Sequence, residues 1–403
     1  MTVASGVYKI VAYKEESSYG QPAGASGATL MRRIQSTLAV TKETYESEEI
    51  ESHQQVGDMR HGTRRVAGTI SSHIAPGAHK DWFAALFRKA FVATTAVASL
   101  SLTIAASGSN WTITRGTGSF ISDGLKIGDV VRITAGAVNA ANLNKNLLIT
   151  AMTATVLTVA VLNRSALVAE GPIASCTITL PGKKTMMAES SQTDKSFNVE
   201  HWHSDIGESE LYTGLKPQSA SFNLPPTGMT RFEMPVSGFD VTTAQSRYFT
   251  SPSAASSAGV TAAVNGYLLV GGTQLVAATG MTIEASGNVT GDAVVGENRI
   301  PSQDLGRMRA NGQLTVKFDS VALRDAFIGE TEVSIVMILT TSNAAAADFI
   351  TFVMPRVKLG GANKDDGEKA LIQTTPYVAL FNAAGGSGTS SDKTTLSMQD
   401  SLA

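Results

Sequence analysis

Along most of the 403 residues, apolar positions alternate with small polar ones in short runs. Gly, Asn, Pro or Ser-Asp-Gly punctuates the runs. Side chains on a strand point to opposite faces with period two, so this pattern predicts half-buried β-strands joined by turns. The period changes to that of a helix in two places only. "HKDWFAALFRKAF" (79–91) sets Trp82, Ala85 and Leu86 on one face, and "SVALRDAFIG" (320–329) sets Leu323, Ala326 and Phe327 in corresponding places. The chain is predicted to be mainly β and antiparallel, with two short helices. The least charged run, Ala90–Ser107, is rich in Thr and Ser and reads as strands rather than a membrane span.

The pattern also repeats. "GTRRVAGTI" (62–70) aligns with "GRMRANGQL" (306–314): Gly62 with Gly306, Arg65 with Arg309, Gly68 with Gly312 and Ile70 with Leu314. A helix follows each copy. Later, 209–239 aligns with 347–377, pairing Leu211–Tyr212 with Phe349–Ile350, Pro217 with Pro355 and Phe239 with Tyr377. The offset falls from about 244 to about 138 between the two alignments. A duplicated unit keeps one offset unless something was inserted, so the first copy is expected to carry about a hundred extra residues. The expected organisation is a discontinuous first unit (1–97 and 184–241) and an inserted all-β domain (98–183). A linker (242–266), a second unit (267–384) and a flexible tail (385–403) follow. The fold class is therefore two tandem antiparallel β-sandwich units, each with one flanking helix, plus a small inserted β-domain.

Composition narrows the function. Only 16% of residues are charged and the net charge is −2, so no basic field attracts nucleic acid. The lone Cys176 excludes an internal disulfide framework. No G-x-S-x-G, Walker A loop, H-E-x-x-H or C-x-x-C is present. "HWH" (201–203) offers only two imidazole ligands, with no Cys near, where a metal site needs more, and "NKDDGEKA" (363–370) lacks the alternating acids of a calcium loop. The expectation is a protein without catalysis, cofactor or metal.

The densest charge lies in "YESEEIESHQQVGDMRHGTRR" (45–65). Its acids are Glu46, Glu48, Glu49, Glu51 and Asp58, and its basic end is Arg60, Arg64 and Arg65. The second copy keeps only an arginine end, Arg307 and Arg309. An acid–base centre would not leave that remnant, whereas a polar loop between paired strands would.

The runs "EESSYGQPA", "L-x-V-T-K-E-T-x-E-S-E-E-I" and "R-x-G-x-R-x-V-x-G-x-I" resemble the N-terminal part of tail tube proteins (major tail proteins) of long-tailed bacteriophages. "GSFISDGLKIGDVVRI" through "ITAMTATVLTV" resembles an extra β-domain found within some of them. The resemblance implies tail-tube-type sandwiches that form rings of six units, whose inner strands join into one barrel around a lumen. Partners implied are further copies of the chain, a tape-measure protein in the lumen, tail-terminator and tail-tip proteins at the ends, and double-stranded DNA in transit. Assembly in the host cytoplasm and residence in the virion follow, without a membrane span. With two units per chain, three chains are expected to close a ring. Strands near 36–44, 62–71, 279–285 and 310–318 are expected at the lumen, with 209–217 and 347–355 also in the sheets. The insert is expected to project outward, so that deleting 98–183 leaves tubes intact. The 45–65 stretch is expected to meet opposite charges on the next ring, so that reversing Arg64 and Arg65 to Glu impairs tube growth before folding. The alternatives are a six-chain ring of another injection machine, and a capsid-decoration or glycan-binding sandwich.

Overall fold

The computed structural model describes residues 3–365 and 368–403. The first unit opens with β1 (Lys9–Glu15), β2 (Gln35–Ser36), β3 (Ala39–Glu46) and the long β4 (Met59–His73), then α1 (Lys80–Phe87). Six strands follow: β5 (Val97–Ser107), β6 (Asn110–Arg115), β7 (Val130–Ala135), β8 (Leu147–Met152), β9 (Val156–Val161) and β10 (Glu170–Thr179). They close into a separate barrel in the order β9-β6-β5-β10-β7-β8. The first unit then resumes with β11 (Lys183–Met186), β12 (Phe197–His203), β13 (Glu208–Pro217), β14 (Ser219–Leu224), β15 (Arg231–Gly238) and β16 (Asp240–Ala244). The second unit comprises β17 (Tyr267–Val270), β18 (Ala278–Ser286), β19 (Arg309–Lys317), α2 (Ala322–Ile328), β20 (Val333–Thr340), β21 (Phe349–Leu359), β22 (Asn363–Lys364), β23 (Ile372–Ala379) and β24 (Ser397–Asp400). All ladders between these strands are antiparallel, and the molecule is mainly β.

The same pairings occur in both halves. One layer of the first unit runs β1-β12-β13-β16, and one layer of the second runs β17-β20-β21-β24. In each half the long strand (β13 or β21) continues into the other layer and pairs there with β15 or β23. That second layer is shared. It runs β3-β4-β15-β14-β18-β19-β23-β22 without a break, because β14 of the first unit pairs with β18 of the second.

Gly68 and Gly312, aligned in sequence, meet the same demand. A Cβ at Gly68 would lie 2.7 Å from the Leu38 backbone, and one at Gly312 would lie 2.6 Å from the Tyr377 hydroxyl. That hydroxyl donates to the Thr282 carbonyl at 2.9 Å across the gap. Close approach, and not turn geometry, calls for glycine here.

The core lies between the layers. Alternate residues of β4, β14, β15, β18 and β19 (Ile70, Phe222, Met234, Ile283, Leu314) point into it. α1 completes it with Trp82 stacked on Phe197 at 4.3 Å and Phe83 edge-on to Phe232 at 5.3 Å. Truncating a buried Trp or Phe of this kind costs about 3–5 kcal/mol. α1 is shorter than the apolar pattern predicts, because Arg88 adopts a left-handed conformation that caps it. α2 buries no residue fully. Leu323 and Ala326 touch the core while Phe327 stays exposed.

The tail departs from expectation. Residues 385–403, read as flexible from their Gly and Ser content, end in β24. That strand pairs with both β21 and β11, and its four residues are buried. Gly-rich composition marks the preceding turns, whereas tertiary pairing orders the strand. β24 occupies the place in the second unit that β16 has in the first. The alignment of Phe239 with Tyr377 is also out of step. By strand pairing Val236 takes the place of Tyr377, opposite Gly68 as Tyr377 is opposite Gly312.

The barrel is spliced into the first unit but rests on the second. Its outer residues Val130, Leu148 and Ala160 pack against Leu269, Val336, Ile338, Phe349 and Val353. Gln399 of β24 accepts from Val130 N at 2.9 Å and donates to the Val130 and Pro181 carbonyls. Lys184 of β11, its side chain 11% exposed, sits between the buried carboxylates of Asp129 of the barrel and Asp392. Burial alone would lower the Lys184 pKa, but the charges of Asp129 and Asp392 outweigh it and hold the ammonium above its ordinary range.

Candidate assembly surface

The β3–β4 hairpin places the charged stretch. Glu46 ends β3; Glu48, Glu49, Glu51 and Asp58 lie in the connecting loop; Arg60, Arg64 and Arg65 lie on β4. Seven of the eight residues of β3 are exposed, as is the whole loop from Glu48 to Met59. Strand β3 has a ladder partner on one side only among the described residues. Such an edge offers unpaired backbone donors and acceptors to another chain. Along the hairpin the apolar side chains Val40, Tyr45, Ile50, Val56 and Met59 are also exposed.

The arginines have separate partners. Arg60 pairs with Asp58 at 2.7 Å and Arg65 with Glu43 at 2.7 Å, both in the open. The Tyr45 hydroxyl and Arg65 hold the Glu43 carboxyl below its ordinary range. Arg64 points the other way. It donates to Asp240 at 2.7 Å, and Arg299 reaches the same carboxylate at 2.9 Å. Glu51 pairs with His53 in the loop. Glu46, Glu48 and Glu49 form no ion pair among the described residues, nor do Arg307 and Arg309. Arg307 lies in the loop before β19, and Arg309 opens that strand.

Arg299 and Asp240 carry no sequence signal. Asp240 lies 176 positions from Arg64. The contact reflects a larger one: the loop 287–308 of the second unit leans on the first. Arg64 N donates to Asn298 O at 2.9 Å, Lys216 Nζ to Gln303 O at 3.2 Å and Ser237 to the Gln303 side chain at 3.0 Å. Arg88 at the end of α1 donates to the Gly287 carbonyl.

The other face of the shared layer is polar. Register carries one row across six strands: Ser71, Glu233, Ser221, Glu284, Asn311 and Val378. Asn311 donates to Glu284 at 3.1 Å. The expected lumen strands 62–71, 279–285 and 310–318 all lie in this layer.

Neither other candidate assembles a site. His201 and His203 both approach Glu210, at 3.7 and 3.9 Å, and His201 also contacts Ser36. Burial lowers the His201 pKa, and no cluster of three metal-binding side chains occurs among the described residues. The 363–370 turn lies partly outside the described residues; within it Asp365 accepts from Ile372 N at 2.6 Å. No helix among the described residues is long and apolar enough to cross a membrane.

A family model described as "Phage tail tube protein" matches residues 9–380. No curated protein matches the chain.

Proposed function

Because the chain belongs to the phage tail tube protein family, we propose that it self-assembles into stacked rings forming a hollow tube through which DNA reaches the host. The observation that carries this reading is the β14–β18 seam, which joins two sandwich units edge to edge in one continuous sheet. A sheet that already passes from unit to unit closes into a barrel when further copies extend it, and closure removes its edges. Two units per chain make three chains the natural count for a ring of six units, with pseudo-six-fold symmetry. The two-unit reading is supported by the repeated pairings and by the common close approach at Gly68 and Gly312.

The polar face suits the bore. Across its middle Ser71, Ser221, Thr282 and Gln313 are uncharged and Glu233 and Glu284 repel phosphate, while the cations Arg231, Arg309 and Lys317 stand toward the ends of its strands. Phosphate contacts retain DNA, so a lumen that lets it slide avoids them. The barrel, opposite this face, lies outside. A tape-measure protein fills the bore before ejection, terminator and tip proteins cap the ends, and assembly takes place in the host cytoplasm. The protein acts without catalysis. Electron microscopy of the purified chain tests this. Tubes with an axial repeat on the order of 40 Å, as strand-built layers of this size give, and three chains per ring are expected. Rings of six chains would show that each unit pair does not act as two ring positions. Monomers that never assemble would overturn the conduit.

A further inference from the structure

Each unit contains both halves of the seam that joins them. Within the chain, Ala220 lies opposite Ala285 and Phe222 opposite Ile283. The first-unit counterpart of 280–286 is the run 35–41: it lies beside β4 in the register that 280–286 holds beside β19. The second-unit counterpart of 219–223 is 361–365, which lies beside β23 as β14 lies beside β15. Neither of these two edges has a further ladder partner among the described residues.

We propose that they are the halves of a second, intermolecular seam. Residues 37–41 of one chain pair antiparallel with 361–365 of a second copy, with Val40 opposite Ala362 and Ala39 opposite Asn363. This rests on the ring reading above, and specifies which edges meet and in what register.

Burial supports it. Ala285 is fully buried because the seam covers it, whereas Val40, which stands in its place, is 42% exposed. Charge supports it as well. Across the internal seam, Arg88 at the left-handed end of α1 donates to Gly287 O. The left-handed residue after α2 is Glu330, and the position matching Gly287 in the first unit is Lys42. An acid and a base, both exposed, stand where the internal joint has donor and acceptor, Glu330 also reaching Lys358 of its own unit at 3.3 Å. The loops agree. As 287–308 leans on the first unit, 47–58 then leans on the second unit of the next copy, bringing exposed Ile50 and Val56 toward exposed Val378 and Phe381. The seam thus places the 45–65 stretch at the lateral joint between chains of one ring.

Paired cysteines test the register. Cα atoms directly opposite in an antiparallel ladder lie within disulfide reach, and the one native thiol, Cys176, is buried in the barrel. Val40→Cys with Ala362→Cys is expected to cross-link between chains of assembled protein under mild oxidation, with a covalent ladder that stops at three chains. Val40→Cys with Lys364→Cys, two positions off, is expected to cross-link far less. Tubes in which the shifted pair links as well or better, or in which neither links, overturn the register while leaving the tube intact. Absence of any assembly strikes the ring reading instead. The unmodified chain supplies a second measurement: amide exchange at 37–41 and 361–365 is expected to slow on assembly, and unchanged exchange there overturns the seam.

Discussion

At the scale of single residues, adjacent arginines have different tasks. Arg64 pairs with Asp240 of its own unit, which Arg299 of the second unit's loop also reaches, and Arg65 meets Glu43 at an open edge. Reversing both together therefore mixes two effects. Arg64→Glu is expected to lower the melting temperature of the unassembled chain, because it sets a carboxylate against Asp240. Arg65→Glu is expected to leave melting unchanged and to shorten or abolish tubes in micrographs. Equal melting losses would show that the division is wrong. Acid sensitivity is also a residue matter. His79 is fully buried, donates to Arg32 O at 2.9 Å and leaves its other ring nitrogen without a partner among the described residues. Burial pushes its pKa down to about 4. Its stabilisation is complete above the unfolded value near 6.5 and is lost as pH falls toward 4, at up to about 1.4 kcal/mol per pH unit. Asp400 opposes it. Burial pushes its carboxyl up to about 6, so its contribution grows as pH falls from 6 toward the unfolded value. Melting followed from pH 6.5 to 4 is expected to fall more steeply than wild type in Asp400→Asn and less steeply in His79→Gln.

Among the elements, the inserted barrel and β24 carry the departures from expectation. The barrel clamps the second unit through an apolar face and a buried Asp129–Lys184–Asp392 group. Lys184→Met strands two buried carboxylates and is expected to cost about 3–5 kcal/mol in thermal unfolding. Deleting 98–183 uncovers Val336, Ile338, Phe349 and Val353, so aggregation is expected where a loosely attached decoration would leave soluble, tube-forming protein. Sedimentation of the deletion variant decides between the two. Much of this level was legible in sequence: both helices, the barrel's strands and the β3–β4 hairpin follow from periodicity and turn residues. β24 was not, because its four residues become a strand only between β21 and β11.

For the whole molecule, the shared sheet makes the bore a testable surface. Glu233→Lys with Glu284→Lys places cations on either side of Ser221 in one row of the polar face. Tubes of this variant are expected to bind DNA more tightly and with a steeper salt dependence than wild-type tubes, and phage carrying it to eject more slowly. Unaltered DNA binding would mean that this face does not line the lumen.

The sequence by itself determined the β class and the two helices, and supplied the expectation of a repeat at Gly68 and Gly312 with an inserted domain. These depend on local periodicity, glycine placement and offsets, all of which are written along the chain. It also placed the acids Glu48, Glu49, Glu51 and Asp58 in a hairpin loop, whereas Arg60, Arg64 and Arg65, read as part of that loop, lie on β4. Only the tertiary structure decided that β14 meets β18, that Arg64 turns inward to Asp240, and that the barrel rests on the second unit. Those contacts join residues tens to hundreds of positions apart, and strand alternation specifies a face without specifying its neighbour.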